Sequence, residues 1–130
     1  MTAKTLFTGK THTTAGANGA ATSADGFLDI KLPQPHPAAE NLFGAAWSTC
    51  YLGAIQLAAG QRKITLTDPS VDAEIDLANG ADGFFLRARL SVGLPGVDRD
   101  IAEELIEAAH GICPYSKAVH GNIDVVTTLA

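Results

Sequence analysis

From Asn41 to Gln61 the chain runs for 21 residues without a charged side chain. A segment that long and that apolar has to be covered by something, so it limits what the rest of the chain can fold into. Length alone permits a membrane span, which needs about 20 predominantly apolar residues. Content argues against one, because Asn41, Ser48, Thr49, Gln56, Gln61 and three glycines lie inside it. The segment reads instead as a central helix buried on most sides. Pro37 sits where it can begin, and Glu40 lies near the positive end of its dipole. The small residues Gly44, Ala45, Ala46, Gly53 and Ala54 let other backbone approach it closely.

Strand signals flank this helix. Leu6 to Thr14 reads as an opening strand. Ala15 to Ala24 is all small residues and reads as a loop or hairpin tip, followed by an Asp25-Gly26 turn. Phe27 to Leu32 alternates apolar and polar from Leu28 on, a half-buried strand stopped by the prolines of Pro33 to Pro37. Lys63 to Leu66 and Val71 to Leu77 look like strands around an Asp68-Pro69 turn. Gly83 to Pro95 is a longer one, with Phe84, Leu86, Ala88, Leu90, Val92 and Leu94 on one face. Asp98 can cap a second helix, whose stripe is Ile101, Leu105, Ala108 and Ile112. His110-Gly111 ends it, and Pro114 keeps Cys113 out of helical geometry. Gly121 to Leu129 is a last strand. The order predicts an α+β fold with an antiparallel sheet, as one domain over residues 1–130.

Charge and cysteine count exclude several functions. A net charge of −5 argues against nucleic acid, whose binding is dominated by cations meeting phosphates, and against an anionic membrane surface. Two cysteines are too few for a disulfide scaffold. Met1 to Asp25 has no apolar core of a signal peptide, so a cytoplasmic location is expected, where thiols stay reduced. A cysteine pair there is either inert core or chemistry.

Cys50 lies in the uncharged helix and Cys113 just past the amphipathic one. A disulfide would need their Cα atoms within about 7 Å. The other constellations are weaker. His12, His36, His110 and His120 show no metal-ligand spacing, so no metal is expected. No phosphate loop follows Gly16 and Gly19, and Ser48 is not in a nucleophile elbow. A cysteine hydrolase would pair a thiolate with a histidine; His110 or His120 could serve, and spacing selects neither.

Together the two cysteine neighbourhoods resemble the organic hydroperoxide resistance (Ohr) group of the OsmC/Ohr family. "AAENLFGAAWSTCYLGA", from Ala38 to Ala54, is similar to the family's block with a glutamate ten residues before a cysteine, here Glu40 and Cys50. "LPGVDRDIAEELIEAAHGICPYSKAVHGNIDV", from Leu94 to Val125, resembles its L-P-G-x-D, A-H-x-x-C-P-Y-S and G-N-I-D-V elements. The resemblance implies an intertwined homodimer built around a long central helix, with active sites at the subunit interface. It implies a thiol peroxidase that reduces organic hydroperoxides to alcohols and carries no bound cofactor. Cys50 would attack the peroxide and Cys113 would resolve the sulfenic acid as a disulfide, with Glu40 as a further site residue. A dihydrolipoyl group on a protein partner would reduce that disulfide. Phe43, Trp47 and Tyr51, near Cys50 at helical spacing, are candidates for an apolar substrate wall or are simply core.

The chain departs from the family pattern at one important place. The pattern sets an arginine eight residues before the aspartate that is Asp25 here; that position is Ala17, and no arginine occurs before Arg62. In the family that arginine pairs with the glutamate and holds the thiolate. A thiol of pKa about 8.5 is only a few per cent ionised at pH 7, and a neighbouring cation lowers such a pKa by about 1 to 3 units. Lys10, Lys31, His36, Lys117 or a residue of a second subunit could substitute, or helix and loop amides could suffice. The alternative is a weakly catalytic or non-catalytic OsmC-like protein that binds an apolar ligand. His120 stands where the family usually has arginine before G-N-I-D-V. Ten residues of straight helix span about 15 Å, so Glu40 and Cys50 cannot touch if both lie on it.

Overall fold

The computed structural model describes residues 2–32 and 38–130. The proline stop, His36 and the Pro37 helix start lie outside the described residues. The chain divides into two compact units, Met1–Ala39 and Glu40–Ala130.

The first unit is a three-stranded antiparallel sheet of β1 (Thr11–Thr14), β2 (Ala20–Ser23) and β3 (Asp29–Lys31), in that order. The expected opening strand is shorter than Leu6 to Thr14. The strand ladder ends where Thr11 meets Ser23, and one further bond, from the Ala24 amide to the Lys10 carbonyl at 3.0 Å, lies just beyond it. The expected small-residue loop is corrected too, since its second half is β2. Alanines pair through their backbone as well as larger residues do, and Ala21 is buried. The Asp25-Gly26 turn is as expected. The Asp25 carboxylate accepts from the Ser23 hydroxyl and, at 3.1 Å, from the Phe27 amide. Those bonds, the hydroxyl first, hold its pKa below the usual value.

In the second unit α1 (Ala38–Gln61) is the uncharged helix, longer at its start than the charge-free run and with Glu40 in its first turn. One face buries Gly44, Trp47, Tyr51, Ala54, Ile55, Ala58 and Ala59. That spacing of three and four explains why a helix long and apolar enough to cross a membrane is instead half of a core. The opposite face, through Ala46, Thr49, Gly53, Gln56 and Leu57, is exposed and still without charge. Lys63 to Leu66 is no strand. The amides of Lys63 and Ile64 bond back to Gly60 and Ala59, and Lys63 takes φ 58° in a helix-ending turn. Ile64 then packs on the core.

β4 (Ser70–Gly80) and β5 (Gly83–Gly93) form a hairpin paired from Ser70↔Gly93 to Gly80↔Gly83. Ala81 and Asp82 make the turn, and the positive φ of 105° falls on the residue after them, Gly83 at the start of β5, where glycine adopts it without strain. On the expected face of β5, Ala88, Leu90 and Val92 are buried, with Leu94 just beyond the strand, while Phe84 at the hairpin tip is exposed. α2 (Arg99–Ile112) buries Ala102, Leu105, Ile106 and Ala109, so the expected stripe is turned and Ala108 faces outward. The two alanines let α2 approach closely, and the Tyr51 hydroxyl donates to the Ile106 carbonyl at 2.9 Å. Asp98 occupies the N-cap, but its side chain makes no capping bond. A short helix, α3 (Pro114–Val119), follows unforeseen, and then β6 (Asp124–Leu129). The antiparallel expectation holds for the first sheet and for β4 with β5. β6 lies parallel to β5, because α2 and α3 form the crossover that parallel pairing needs. Side chains of α1, β5 and α2 share one core, closed by Cys113.

Candidate active site

Two elements bring the thiols together. Cys50 projects from the middle of α1 and is half-buried, while Cys113 is fully buried. Pro114 bars Cys113 from α2, and the residue takes φ −66°, ψ 117°. Its amide closes α2 on the Ala109 carbonyl, while its sulfur caps α3 by accepting from the Ser116 amide at 3.4 Å. The Sγ atoms of Cys50 and Cys113 are 3.3 Å apart, both as free thiols. A disulfide bond is about 2.05 Å, so the pair needs only a small closing movement.

Burial pushes the Cys50 thiol up from its ordinary pKa, and the hydrogen bond with Cys113 adds to this. The Tyr115 backbone amide acts in the opposite direction. Among the described residues of the second unit no cation is one of the groups acting on Cys50. Lys117 is exposed on α3. Lys10 and Lys31 are exposed residues of the first unit. A raised pKa favours the neutral thiol, so thiolate fraction grows with pH. Alkylation of Cys50 by iodoacetamide is expected to rise about tenfold per pH unit, with no plateau below about pH 8.5, the ordinary thiol value. A plateau near neutral pH would contradict this environment.

Glu40 and Cys50 share α1, which places them about 15 Å apart along its axis. Within one chain the carboxylate therefore does not meet the thiol. One Glu40 oxygen is buried with no hydrogen-bond partner among the described residues. It lies in a cavity of about 320 Å³ lined also by Asn41, Ser48, Asp72 and Ile75. Trp47 and Tyr51 are core residues at 1% and 0% exposure. Phe43 is the accessible member of the three, with its ring edge-on to Trp47 at 5.8 Å.

Neither candidate histidine reaches a thiolate. His120 is exposed at the end of α3. His110 has Nδ1 2.9 Å from the Ser116 hydroxyl and Nε2 2.8 Å from the Thr127 hydroxyl. Burial lowers its pKa, against an opposing pull from Glu107. Ser116, buried, also accepts from Trp47 Nε1 at 3.0 Å. This polar cluster was not visible as a unit in the sequence, since only His110 stood out. Among the described residues no group of three or more His, Cys, Asp or Glu side chains is placed to hold a metal.

A family model described as OsmC-like protein matches residues 32–128. The organic hydroperoxide resistance protein of Xanthomonas axonopodis pv. citri is 36% identical, over 98% of this chain and 96% of that protein. The crystal structure of the organic hydroperoxide resistance protein OhrB of Bacillus subtilis superposes with a TM-score of 0.86 at 36% identity, covering 97% of this chain and 100% of that one. An organic hydroperoxide resistance protein from Elizabethkingia anophelis, crystallised with thiocyanate bound, gives 0.89 at 34% identity over 98% and 99%.

Proposed function

The chain belongs to the OsmC-like family, in its organic hydroperoxide resistance group, and we propose on that ground that it is a thiol peroxidase acting on organic hydroperoxides. The observation that supports this most is the 3.3 Å separation of a half-buried and a buried thiol. The Cys50 thiolate attacks the outer peroxide oxygen, the O–O bond breaks, and the alkoxide takes a proton and leaves as alcohol. Cys50 is left as a sulfenic acid. Cys113 then attacks that sulfur, forming the disulfide and expelling water. A sulfenic acid left unresolved oxidises further and irreversibly, so a resolving sulfur at this range has a clear use. A dihydrolipoyl dithiol on a partner protein is the proposed reductant. Phe43, with Trp47 and Tyr51 behind it, is the proposed wall for the alkyl group.

The working unit in this reading is a homodimer. The uncharged outer face of α1 suits a second copy, and only a second copy can carry a Glu40 to the Cys50 that its own Glu40 cannot reach.

Titration with DTNB before and after one equivalent of cumene hydroperoxide tests the proposal. Two thiols per chain should vanish and return with dihydrolipoamide. Two thiols still free after exposure would favour the other reading, a non-catalytic protein that binds an apolar ligand, which Ala17 and the raised Cys50 pKa support.

A further inference from the structure

Ser116 is the one buried polar side chain among the described residues of the core. Its hydroxyl joins the element that carries Cys50 to the element that carries Cys113. Trp47, three residues before Cys50 on α1, donates its indole N–H to Ser116 Oγ at 3.0 Å. An indole nitrogen only donates, so the hydroxyl spends an acceptor site there and has its proton and one lone pair left for His110. His110 meets it at 2.9 Å and is itself held from β6 by Thr127 at 2.8 Å. Its ring packs on Tyr51, the neighbour of Cys50, with centroids 4.5 Å apart. The amide of the same Ser116 points at Cys113 Sγ. His110 therefore touches α1 through Tyr51, α3 through Ser116 and β6 through Thr127, and both its ring nitrogens bond hydroxyls, not sulfur.

We propose that His110 is a positioning residue for resolution: through Ser116 it holds the first turn of α3, and with it Cys113, at attacking distance from Cys50. This rests on the peroxidase reading above. In the step concerned the Cys113 sulfur attacks the Cys50 sulfenic sulfur, an S–S bond forms, the S–O bond breaks, and the hydroxide leaves as water with the Cys113 thiol proton. The clamp has no part in the earlier attack of Cys50 on peroxide. Loss of the clamp should therefore slow the second step and spare the first, whereas a general loosening of the core would slow both.

Single-turnover oxidation by cumene hydroperoxide separates the two steps. Alcohol release reports the first. Loss of the second thiol reports the second, and dimedone labelling of Cys50 shows the sulfenic acid between them. His110→Ala should slow disulfide formation at least about tenfold and leave alcohol release within about twofold, as expected when a reacting group is misplaced by a fraction of an ångström. Dimedone-labelled and sulfinic Cys50 should accumulate. His110→Asn, whose side-chain amide can still bond Ser116, should recover to within about threefold, and Thr127→Val should show a smaller slowing of the second step alone. Unchanged second steps in His110→Ala and Thr127→Val, or a first step slowed as much as the second, would overturn the proposal. If His110→Ala does not fold, Thr127→Val decides it. Diamide, a two-electron oxidant of dithiols, makes the same disulfide without peroxide. If the native protein consumes no peroxide, the peroxidase reading fails by itself. Slower diamide cross-linking in His110→Ala than in the native protein would then support the clamp, and equal rates would overturn it.

Discussion

Cys50→Ser should abolish peroxide turnover, to below about a thousandth of the native rate, because a serine oxygen, unlike sulfur, cannot be oxidised to a sulfenic acid and so cannot take up the peroxide oxygen. Cys113→Ser should behave differently. It should consume one equivalent of cumene hydroperoxide at the native rate and then stop, with no sulfur left within reach of the sulfenic acid. Further peroxide should add a second oxygen to Cys50, seen by intact mass, and that form should not recover with dihydrolipoamide. The two outcomes assign the roles, because Cys113 is fully buried and Cys50 is not. Full activity in Cys50→Ser would reverse the assignment. Sustained turnover in Cys113→Ser would mean that an external thiol meets the sulfenic acid directly.

The parts of this site that were legible in the sequence are those set by short-range rules. A run without charge read as a helix buried on most sides, of which the structure keeps the helix but buries one face, and Pro114 alone dictated that Cys113 would leave helical geometry. The resemblance supplied the pairing of the thiols, and the structure supplied the distance. What was hidden depended on partners distant in the chain. Ala20 to Ser23 has a single strand-forming side chain, Thr22, and its pairing with β1 and β3 is what makes it β2. The stripe on α2 turned because Ala102 and Ala109 pack closely, which periodicity counted with larger side chains cannot see. The parallel placement of β6 depends on the crossover. Ser116 read as one polar residue after a proline, and nothing local links it to Trp47, 69 positions earlier.

Restoring the missing cation should have the second large effect. Ala17 is exposed in the turn between β1 and β2, where the family pattern has arginine. The family pattern has this arginine holding the thiolate, so Ala17→Arg tests whether a cation supplied from this loop acts on Cys50. A cation favours the charged thiolate, so the pKa should fall by about 1 to 3 units, opposing the upward push from burial. Where the thiol is still mostly neutral, each unit is about a tenfold gain in thiolate. At pH 7 alkylation by iodoacetamide should then accelerate about 10-fold to 100-fold, and the plateau absent below pH 8.5 should come into view. In the family pattern the same arginine also pairs with the glutamate, and one Glu40 oxygen is buried with no hydrogen-bond partner among the described residues. With five N–H donors in a fixed fork, a guanidinium can bond a carboxylate and lie beside the thiol at once, provided the carboxylate is the Glu40 that a second copy brings to this Cys50. Glu40→Gln in the Ala17→Arg background should therefore weaken the gain by loosening the arginine, while Glu40→Gln alone leaves the native alkylation profile nearly unchanged. An Ala17→Arg profile that overlays the native one would show that this loop does not reach Cys50. The native thiol would then depend on pH alone for its thiolate, and a slow peroxidase or a binding protein would be the better description of the chain.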